Sequence, residues 1–468
     1  MMDTISCDVL VVGAGLAGFT AAVRAKETGA NVVLIDKSAN ELGDGNVLMA
    51  SGSLRAGGKS PKSDPTELYD FVMSEGVAYP DLVRAWAATC GRAIDWLAGC
   101  GVGLDEKQPG RIWLDQESEI SLAPVYKKDV GRRALARLKQ RFEQLGGRYL
   151  NGIEAVSLIR ERERICGVAG KKQSEAIEYL SRAIILSTGG FSANKEMVRQ
   201  YIGSQADQCK LRGSKSCTGD GLRMALAVGA KAVNLKYFYG HLLSRKALVD
   251  DRFWPYPRLD AFVDEGILVD GTGNRFVDEG RGDVAVANEL ARTSDVTGAT
   301  LIFDFATWDA AEDDPFSKTV KTPASNPWLM DNEGDIFQHE TIEGLAREIG
   351  VDAGNLAKTV DQYNRAIESD NPRSLSVPRT GKPKPLRTPF YGLKVVPGIT
   401  FTMGGILVNG HCEALSAEEK PIQGLYAAGD AIGGLMGGYR GGYTGGLMQA
   451  IVTGILAAEN AARHIKLA

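Results

Sequence analysis

Histidine and paired cysteine motifs are scarce in this sequence. Only four histidines occur among 468 residues, and none is spaced to share a metal ion with cysteine or carboxylate neighbours. The seven cysteines are irregularly spaced and form neither a CxxC nor a CxxCH motif, which excludes c-type haem attachment and argues against a disulfide framework. We therefore predict no structural metal, no haem, and a reduced, cytoplasmic protein.

Long apolar runs and excess positive charge are also missing. The nearest candidate for a membrane span, residues 450–458, is bounded by Gln449 and Glu459 and falls short of the roughly 18 apolar residues that a span requires. The formal net charge of −4 gives no surplus of cations to neutralise a phosphate backbone. We predict no membrane span and no nucleic-acid partner. A chain of 468 residues is expected to form two or three domains.

Glycine, in contrast, is abundant and clustered at predicted turns. The first cluster follows an apolar run at 8–12, which predicts a buried strand, and precedes a helical composition at 19–26. Its members are Gly13, Ala14, Gly15, Leu16, Ala17 and Gly18. In a dinucleotide-binding turn, Gly13 permits the tight turn, Gly15 lets the backbone approach a pyrophosphate, and Gly18 lets the helix pack on the strand.

An acidic residue completes this dinucleotide site. A second predicted strand at 31–35 ends at Asp36, where a carboxylate accepts hydrogen bonds from a ribose hydroxyl and disfavours a 2′-phosphate. The following loop contains Gly43, Ser51 and Gly52, which suits the phosphate and ribityl portions of a larger cofactor. The pattern therefore favours FAD over NAD.

Two later predicted strands extend the cofactor site. The strand at 183–186 leads into Thr188, Gly189 and Gly190, and the strand at 425–428 leads into Gly429 and Asp430. More than 200 residues separate them, so the cofactor domain must be discontinuous. We predict an α/β fold with a Rossmann-like FAD-binding domain at 1–235 and 401–468, and an inserted α+β capping domain at 236–400 that carries the substrate.

With these segments in place, the chain resembles the flavoprotein family of fumarate reductase and succinate dehydrogenase, which includes the 3-ketosteroid dehydrogenases and tricarballylate dehydrogenase. The matching motifs are GAGLAG with Asp36, TGGF at 188–191, TGDG at 218–221, RFVDE at 275–279, TMGG at 402–405, LYAAGD at 425–430 and the glycine-rich segment 433–446. The resemblance is nearest to the 3-ketosteroid and cyclohexanone dehydrogenase branch. It implies a mobile cap, with the substrate held between this cap and the flavin.

The resemblance also implies how FAD is held. A last glycine-rich loop opens a helix whose N-terminus faces the flavin, and this role falls on Gly445, Gly446 and Leu447. Covalent attachment in the family uses a histidine in the second glycine-rich loop; residues 43–53 contain none, so we predict non-covalent FAD. The further cofactor residues that we predict are Lys37, Asp220 and Gly404, beside those named above.

The sequence departs from the fumarate reductases at their substrate-binding positions. Thr400 and Phe401 precede TMGG, so the family's carboxylate-binding histidine is absent. Arg281 is separated from Asp283 by a glycine, and is either the family's proton donor or a loop charge in an ion pair. His241 matches a substrate-binding histidine of the family, although a satisfied polar side chain at the domain boundary is the alternative.

Aromatic residues predict the substrate pocket. Six aromatics lie between Tyr237 and Tyr256, which suits an apolar substrate, although about half of them are expected in the cap core. The predicted pocket residues are Trp113, Phe253, Trp254, Tyr256 and Thr400. Near the flavin, the resemblance implies that one of Tyr439, Arg440 and Tyr443 contacts the substrate.

These features lead to a mechanistic hypothesis, the α,β-desaturation of a ketone such as cyclohexanone or a 3-ketosteroid. Tyr239, with a lowered phenol pKa, removes the α-proton while a hydride passes to FAD. A hydroxyl from Tyr439 or Tyr443, with a backbone N–H near Gly445, stabilises the enolate. An external electron acceptor of unknown identity is required.

Two alternatives remain open. In the first, the enzyme acts on a carboxylic acid, as fumarate reductase or tricarballylate dehydrogenase does, and its carboxylate ligands are Arg245, Arg252, Arg258 and Arg440. In the second, the chain is an electron-transfer flavoprotein subunit without a small substrate of its own.

Overall fold

The secondary structure is taken from a computed structural model, which describes residues 3–108, 111–115, 129–320 and 322–467. The strands are β1 (Asp3–Val12), β2 (Val32–Asp36), β3 (Ser53–Leu54), β4 (Leu104–Gln108), β5 (Arg111–Leu114), β6 (Arg148–Asn151), β7 (Glu154–Glu161), β8 (Arg164–Lys172), β9 (Glu175–Leu186), β10 (Lys210–Leu211), β11 (Ala232–Val233), β12 (Phe238–Ser244), β13 (Ile267–Val269), β14 (Thr300–Asp304), β15 (Ile336–His339), β16 (Phe390–Thr402), β17 (Gly405–Leu407), β18 (Glu413–Leu415), β19 (Pro421–Ala427) and β20 (Ile432–Gly433). The α-helices are α1 (Leu16–Glu27), α2 (Pro65–Met73), α3 (Pro80–Gly99), α4 (Val130–Gln144), α5 (Lys195–Tyr201), α6 (Asp220–Ala227), α7 (Asp260–Glu265), α8 (Asp283–Leu290), α9 (Phe305–Ala310), α10 (Pro315–Val320), α11 (Ser325–Asp331), α12 (Ile342–Ile349), α13 (Ala353–Glu368) and α14 (Gly446–Leu467).

A Rossmann-like sheet holds both ends of the chain together. Its order is β18, β19, β8, β9, β1, β2, β6, with β7 paired to β8 and β19 also paired to β9. Strands β6, β2, β1, β9 and β19 are parallel, because each neighbouring pair among them runs in the same direction. Their carboxyl ends therefore meet at one edge, where ligands bind in open α/β sheets. The predicted fold class and the discontinuous origin of this sheet are confirmed.

Two helices pack against this sheet and against each other. Helix α1 begins directly after the glycine turn and buries Phe19, Ala22 and Val23. Helix α14, at the other end of the sequence, approaches so closely that a Cβ at Gly454 would lie 2.8 Å from the carbonyl oxygen of Ala17. The packing of α14 on α1 places the N-terminus of α14 beside the carboxyl edge of the sheet.

A second sheet is built mostly from the middle of the chain. Its order is β10, β16, β14, β13, and β12 and β15 also pair with β16. Strand β12 runs antiparallel to β16 from Phe238 opposite Thr402 to Ser244 opposite Val395, with an irregularity between Tyr239 and Gly240. The bounds predicted for the cap, 236–400, stay a prediction, but β16 continues past residue 400 and β10 lies outside that range.

The core beneath the second sheet is aromatic. Phe262 stacks on Phe303 at 4.4 Å between ring centroids, and Trp308 and Tyr391 extend the stack. Across the residues described, no helix is both long and apolar enough to cross a membrane.

Candidate active site

A cavity runs along the carboxyl edge of the parallel strands, and residues from both sheets line it. Of the predicted cofactor residues, the ones that line it are Gly13, Gly15, Leu16, Ala17, Asp36, Lys37, Ser51, Gly52, Thr188, Gly189, Asp220, Gly429, Asp430, Gly446 and Leu447. Of the predicted catalytic and pocket residues, those that line it are Trp113, Tyr239, His241, Tyr256, Thr400 and Tyr443.

The glycine turn after β1 has the form that a pyrophosphate requires. Gly13 has φ +103°, and a Cβ on it would lie 2.5 Å from the carbonyl oxygen of Ser187. A Cβ on Gly15 would meet nothing within 4 Å, so the absence of a side chain there leaves open space at the N-terminus of α1. Backbone N–H groups at a helix N-terminus bind phosphate oxygens. The turn therefore fits the pyrophosphate of FAD.

The carboxylate of Asp36 is held by the backbone at the end of β2. Its oxygens accept hydrogen bonds from the N–H groups of Ala14 (2.6 Å) and Ser38 (2.7 Å). Burial raises its pKa above the ordinary value, although both hydrogen bonds oppose this shift. Next to it, Lys37 donates to Asp220 at 2.6 Å, which fixes α6 against the cavity. This arrangement leaves Asp36 placed to accept from a ribose.

Polar groups with few protein partners lie farther along the cavity. The hydroxyl of Thr188 is buried and forms no hydrogen bond with any described residue. Asp430 is half-buried and accepts from Asn46 at 3.3 Å, and desolvation raises its pKa to about 7. Buried polar groups usually have partners, so both groups fit a cofactor rich in hydroxyls.

Six predicted cofactor residues do not line the cavity, namely Ala14, Gly18, Gly43, Gly190, Gly404 and Gly445. The glycines among them allow close packing behind the cavity wall. A Cβ on Gly18 would overlap the carbonyl oxygen of Gly13, and a Cβ on Gly445 would overlap the carbonyl oxygen of Arg55. Their role in this structure is to let segments pass close to one another.

Three aromatic rings meet at the other end of the cavity. Tyr239 comes from β12, Phe401 from β16, and Tyr443 from the loop before α14. Tyr239 stacks on Tyr443 with centroids 4.0 Å apart, and Phe401 lies 5.2 Å from Tyr239. The backbone N–H of Gly446, at the start of α14, donates to the Tyr443 hydroxyl at 3.3 Å.

Burial raises the pKa of Tyr239 far above its ordinary range; Tyr443 adds to this shift, while Arg258 and Arg212 oppose it. The expectation of a lowered phenol pKa at Tyr239 is therefore wrong for this arrangement. A phenol removed from water is disfavoured as an anion, because desolvation penalises the charged form. Tyr239 lies in the cavity as a neutral hydroxyl.

A hydrogen-bonded chain leads from Tyr239 into the protein. Its hydroxyl lies 2.9 Å from Nε2 of His241, and Nδ1 of His241 lies 2.9 Å from Asp260 and 2.6 Å from Asp283. Burial acts to raise the pKa of Asp260, but Arg258 and His241 outweigh it, so the pKa is held below its usual range. The chain links a cavity hydroxyl to two carboxylates.

The donor atoms of His241, Asp260 and Asp283 lie within 4.8 Å of one another, a spacing that a metal ion also uses. However, Nη1 of Arg258 lies 2.9 Å from Asp260, so a guanidinium already supplies positive charge there. Sequence patterns did not single out Asp260, because its proximity to His241 depends on how α7 packs. The sequence marks Asp283 only as a neighbour of Arg281.

Four arginines line the cavity, namely Arg55, Arg111, Arg212 and Arg258. Arg258 lies over the ring of Phe316, with Cζ 3.6 Å from the centroid. Arg212 donates from Nε to the carbonyl oxygen of Pro255 (3.1 Å) and from Nη1 to the hydroxyl of Thr400 (3.0 Å). No sequence signal marks Arg212 as a site residue, since it follows a short edge strand outside every recognised motif.

The structure places Tyr439, Arg440 and Arg281 outside the cavity, so that of Tyr439, Arg440 and Tyr443, one of which was expected to contact the substrate, only Tyr443 lines it. Tyr439 is 62% exposed, and Arg440 is exposed as well. Arg281 donates to the carbonyl oxygen of Tyr439 (2.8 and 2.7 Å), lies over its ring, and pairs with Glu289 at 3.3 Å. This is the ion-pair alternative for Arg281.

Two predicted pocket residues also lie elsewhere. Phe253 is fully buried in the core, and Trp254 donates its indole N–H to the carbonyl oxygen of Leu211 at 2.9 Å; neither lines the cavity. Of the predicted carboxylate ligands, Arg245 pairs with Asp335 and the exposed Arg252 pairs with Asp250. The direction of each side chain along β12 and in the turns after it decides which aromatic rings face the cavity. The density of aromatics in the sequence does not reveal these directions.

A glycine turn, a carboxylate at the end of the second strand and a helix N-terminus around one cavity fit a dinucleotide-binding flavoenzyme. Residues 8–445 match the family described as FAD binding domain, and the chain belongs to this family. The protein binds FAD and is an oxidoreductase acting on CH–CH groups. The predicted family, cofactor and enzyme class are confirmed, whereas non-covalent attachment stays a prediction.

The chain is similar to several proteins of this class. A probable fumarate reductase, Ifc3, of Shewanella frigidimarina is 29% identical over 97% of this chain and 75% of its own length. A urocanate reductase of Eggerthella lenta is 28% identical over 92% and 70%. Among solved structures, the 3-ketosteroid-Δ4-(5α)-dehydrogenase of Rhodococcus jostii has a TM-score of 0.73 at 22% identity and covers 99% of this chain and 98% of its own.

Proposed function

We propose that this enzyme desaturates the bond between the α and β carbons of a ketone, with small cyclic ketones as the substrate class. The observation that carries the proposal is the pair of tyrosines in one cavity, Tyr443 beside the N–H of Gly446 and Tyr239 on a chain through His241. Tyr443 is placed to donate a hydrogen bond to the carbonyl oxygen of the substrate, and Tyr239 is placed to accept the α-proton. When bound, FAD supplies the acceptor for the β-hydride.

The carbonyl oxygen is polarised by Tyr443 and the start of α14. Burial raises the pKa of Tyr443, although the Gly446 N–H opposes this, so the hydroxyl stays protonated and can donate. Because the Gly446 N–H is bonded to the hydroxyl oxygen, the phenol hydrogen is directed elsewhere. A donor that is already oriented stabilises the negative charge that develops on an enolate oxygen.

The α-proton leaves through Tyr239 and His241. As the C–H bond breaks, its proton is transferred to the phenol oxygen of Tyr239, and the phenol proton is transferred to Nε2 of His241, 2.9 Å away. Asp260 and Asp283 accept the hydrogen bond from Nδ1 and stabilise the imidazolium that forms. Tyr239 therefore needs no lowered pKa, because a neighbouring base takes its proton in the same step.

The similarity in fold to a 3-ketosteroid dehydrogenase supports a ketone substrate. The absence of the family's carboxylate-binding histidine, replaced by Phe401, supports it as well. The relatives in sequence are named for the reduction of fumarate and of urocanate. We therefore expect Tyr239, His241 and Tyr443 also to serve the reduction of an enone to a ketone when reduced flavin is supplied.

Anaerobic titration of the purified holoenzyme tests the proposal. Cyclohexanone, a 3-ketosteroid, succinate and buffer alone are added in turn, and the flavin absorbance near 450 nm is followed. We expect bleaching with a ketone and formation of the matching enone, detected by mass spectrometry. Bleaching with succinate alone, or with none of the compounds, would refute ketone desaturation.

A further inference from the structure

We infer that Arg212 forms an anion-binding subsite, so that the ketone substrate carries a carboxylate group away from the bond that reacts. This inference rests on the proposed function for the identity of the reacting bond, but not for the presence of the subsite. Arg212 lies in the same cavity as Tyr239 and Tyr443.

The partners of Arg212 are all neutral. Its side chain is buried, with the residue 7% exposed, and it donates to the carbonyl oxygen of Pro255 and to the hydroxyl of Thr400. Among the residues with described placement, no carboxylate forms an ion pair with it. The charge of Arg212 acts on Asp260 from a distance, but no carboxylate among the described residues contacts the guanidinium directly, so this buried cation in the cavity wall can take an anion supplied by the ligand.

Three other arginines, each buried or half-buried, do have carboxylate partners. Arg275 lies 2.6 Å from Glu279, Arg379 approaches the same carboxylate at 3.5 Å, and Arg258 lies 2.9 Å from Asp260. Arg212 differs from these three because only backbone and hydroxyl oxygens contact it. Each of these three guanidiniums contacts a carboxylate, whereas that of Arg212 contacts none among the described residues.

The location of Arg212 suits a group remote from the carbonyl. Arg212 donates to the carbonyl oxygen of Pro255 and to the hydroxyl of Thr400, whereas the proposed carbonyl site is formed by Tyr443 and the Gly446 N–H, and the two sets share no residue. The ring of Tyr256 lies 5.2 Å from its Cζ and forms an apolar wall next to it. A planar guanidinium binds a planar carboxylate through two parallel N–H···O hydrogen bonds, an arrangement called a fork. The single guanidinium of Arg212 therefore matches one carboxylate group on the substrate.

The test compares cyclohexanone with 4-oxocyclohexanecarboxylate in the wild-type holoenzyme and in Arg212→Gln. The charge-assisted contact is expected to give the keto acid a kcat/KM about 10–100 times that of cyclohexanone, and Arg212→Gln should remove most of this ratio. The control is Arg252→Gln, which removes an exposed arginine paired with Asp250 and should leave the ratio unchanged.

A second measurement separates binding from turnover. Cyclohexanecarboxylate lacks the carbonyl, so its affinity, measured by isothermal titration, reports the subsite alone. We expect Arg212→Gln to weaken this binding at least tenfold and Arg212→Lys, which keeps the charge but not the fork, to weaken it less. If the glutamine variant loses FAD, the lysine variant provides the comparison.

The outcomes distinguish the two proposals. Equal kcat/KM values for keto acid and ketone, or binding of cyclohexanecarboxylate that does not depend on Arg212, would overturn the subsite. If neither ketone bleaches the flavin while cyclohexanecarboxylate still binds through Arg212, the subsite stands and ketone desaturation fails.

Discussion

The hydroxyl of Tyr239 is the residue-scale feature on which the proposed chemistry depends. It lies in the cavity and bonds to Nε2 of His241. Replacing it in Tyr239→Phe removes the proton acceptor but keeps the ring stacked on Tyr443. We expect flavin reduction by cyclohexanone to slow about 10²–10⁴-fold with FAD content unchanged, measured by anaerobic stopped-flow absorbance.

The control for this variant is Tyr149→Phe. The hydroxyl of Tyr149 bonds to the carbonyl oxygen of Asn40 and does not line the cavity, so its loss should leave the rate within twofold of wild type. A rate for Tyr239→Phe equal to that of the control would show that another group takes the α-proton.

A second residue-scale prediction concerns pH. Burial raises the pKa of Asp430 to about 7, against roughly 3.9 for an unfolded aspartate, so the folded apoprotein favours the neutral acid. The resulting stabilisation is complete below about pH 4 and is lost as pH rises through about 7. Asp430→Asn should therefore gain stability relative to wild type between pH 5 and pH 8, measured by urea unfolding of FAD-free protein. A relative stability that is the same at both pH values contradicts the assignment.

Sequence patterns predict some site residues well and others poorly, for physical reasons. Gly13, Gly15 and Asp36 are predictable because a local strand, turn and strand place them. Arg212 and Asp260 are not, because each acquires its role through contacts with residues far away in sequence. The pKa of Tyr239 was predicted in the wrong direction because burial, which depends on tertiary packing, dominates it.

At the scale of elements, the start of α14 depends on Gly445. Its φ of +113° is unfavourable for other residues, and a Cβ would overlap the carbonyl oxygen of Arg55. Gly445→Ala should shift the first turn of α14, and with it the Gly446 N–H. We expect a loss of more than about 1 kcal/mol of stability and weaker FAD binding, measured by thermal unfolding and by the ratio of absorbance at 450 and 280 nm.

Gly99→Ala is the matched control, because Gly99 is helical and nothing lies within 4 Å of its added Cβ. It should unfold at or above the wild-type temperature. Equal behaviour of the two variants would mean that α14 tolerates a different first turn.

A contact between two loops gives another prediction at this scale. Arg281 joins the short helical turn at Glu279–Arg281 to the glycine-rich loop through the carbonyl oxygen and ring of Tyr439. Because Arg281 lies outside the cavity, Arg281→Ala should keep kcat with cyclohexanone within about threefold of wild type, measured with an artificial electron acceptor. Loss of activity comparable to that of Tyr239→Phe would restore Arg281 as the proton-transfer residue.

Elements themselves were predicted with mixed success. The strands at 8–12, 31–35, 183–186 and 425–428 are confirmed, because parallel buried strands appear as short apolar runs. Pairing within the second sheet could not be predicted, since β16 joins β10, β12, β14 and β15, which are distant in sequence.

At the scale of the whole molecule, FAD is expected to join the two ends of the chain. Its predicted ligands come from α1 and β2 near the N-terminus and from the segment after β19 and α14 near the C-terminus. A ligand present at 100 times its dissociation constant stabilises the folded state by about 2.7 kcal/mol. Added FAD should therefore raise the melting temperature of apoprotein, as measured by differential scanning fluorimetry.

Asp36→Ala should reduce this shift, because it removes the ribose acceptor at the edge of the sheet. Asp361→Ala, an exposed change on α13, should not alter it. A melting temperature independent of FAD in all three proteins would contradict a bridging role for the cofactor.

The pairing of β12 with β16 has a mechanical consequence. The chain enters and leaves residues 236–400 through these two strands. Because the strands are hydrogen-bonded to each other, the connection is an antiparallel strand pair and not two separate loops. Any rotation of the cap would have to twist this strand pair, and twist concentrates at an irregularity such as that between Tyr239 and Gly240. Tyr239 and His241 lie on opposite sides of this irregularity, so a rotation there would change the distance across which the phenol proton passes.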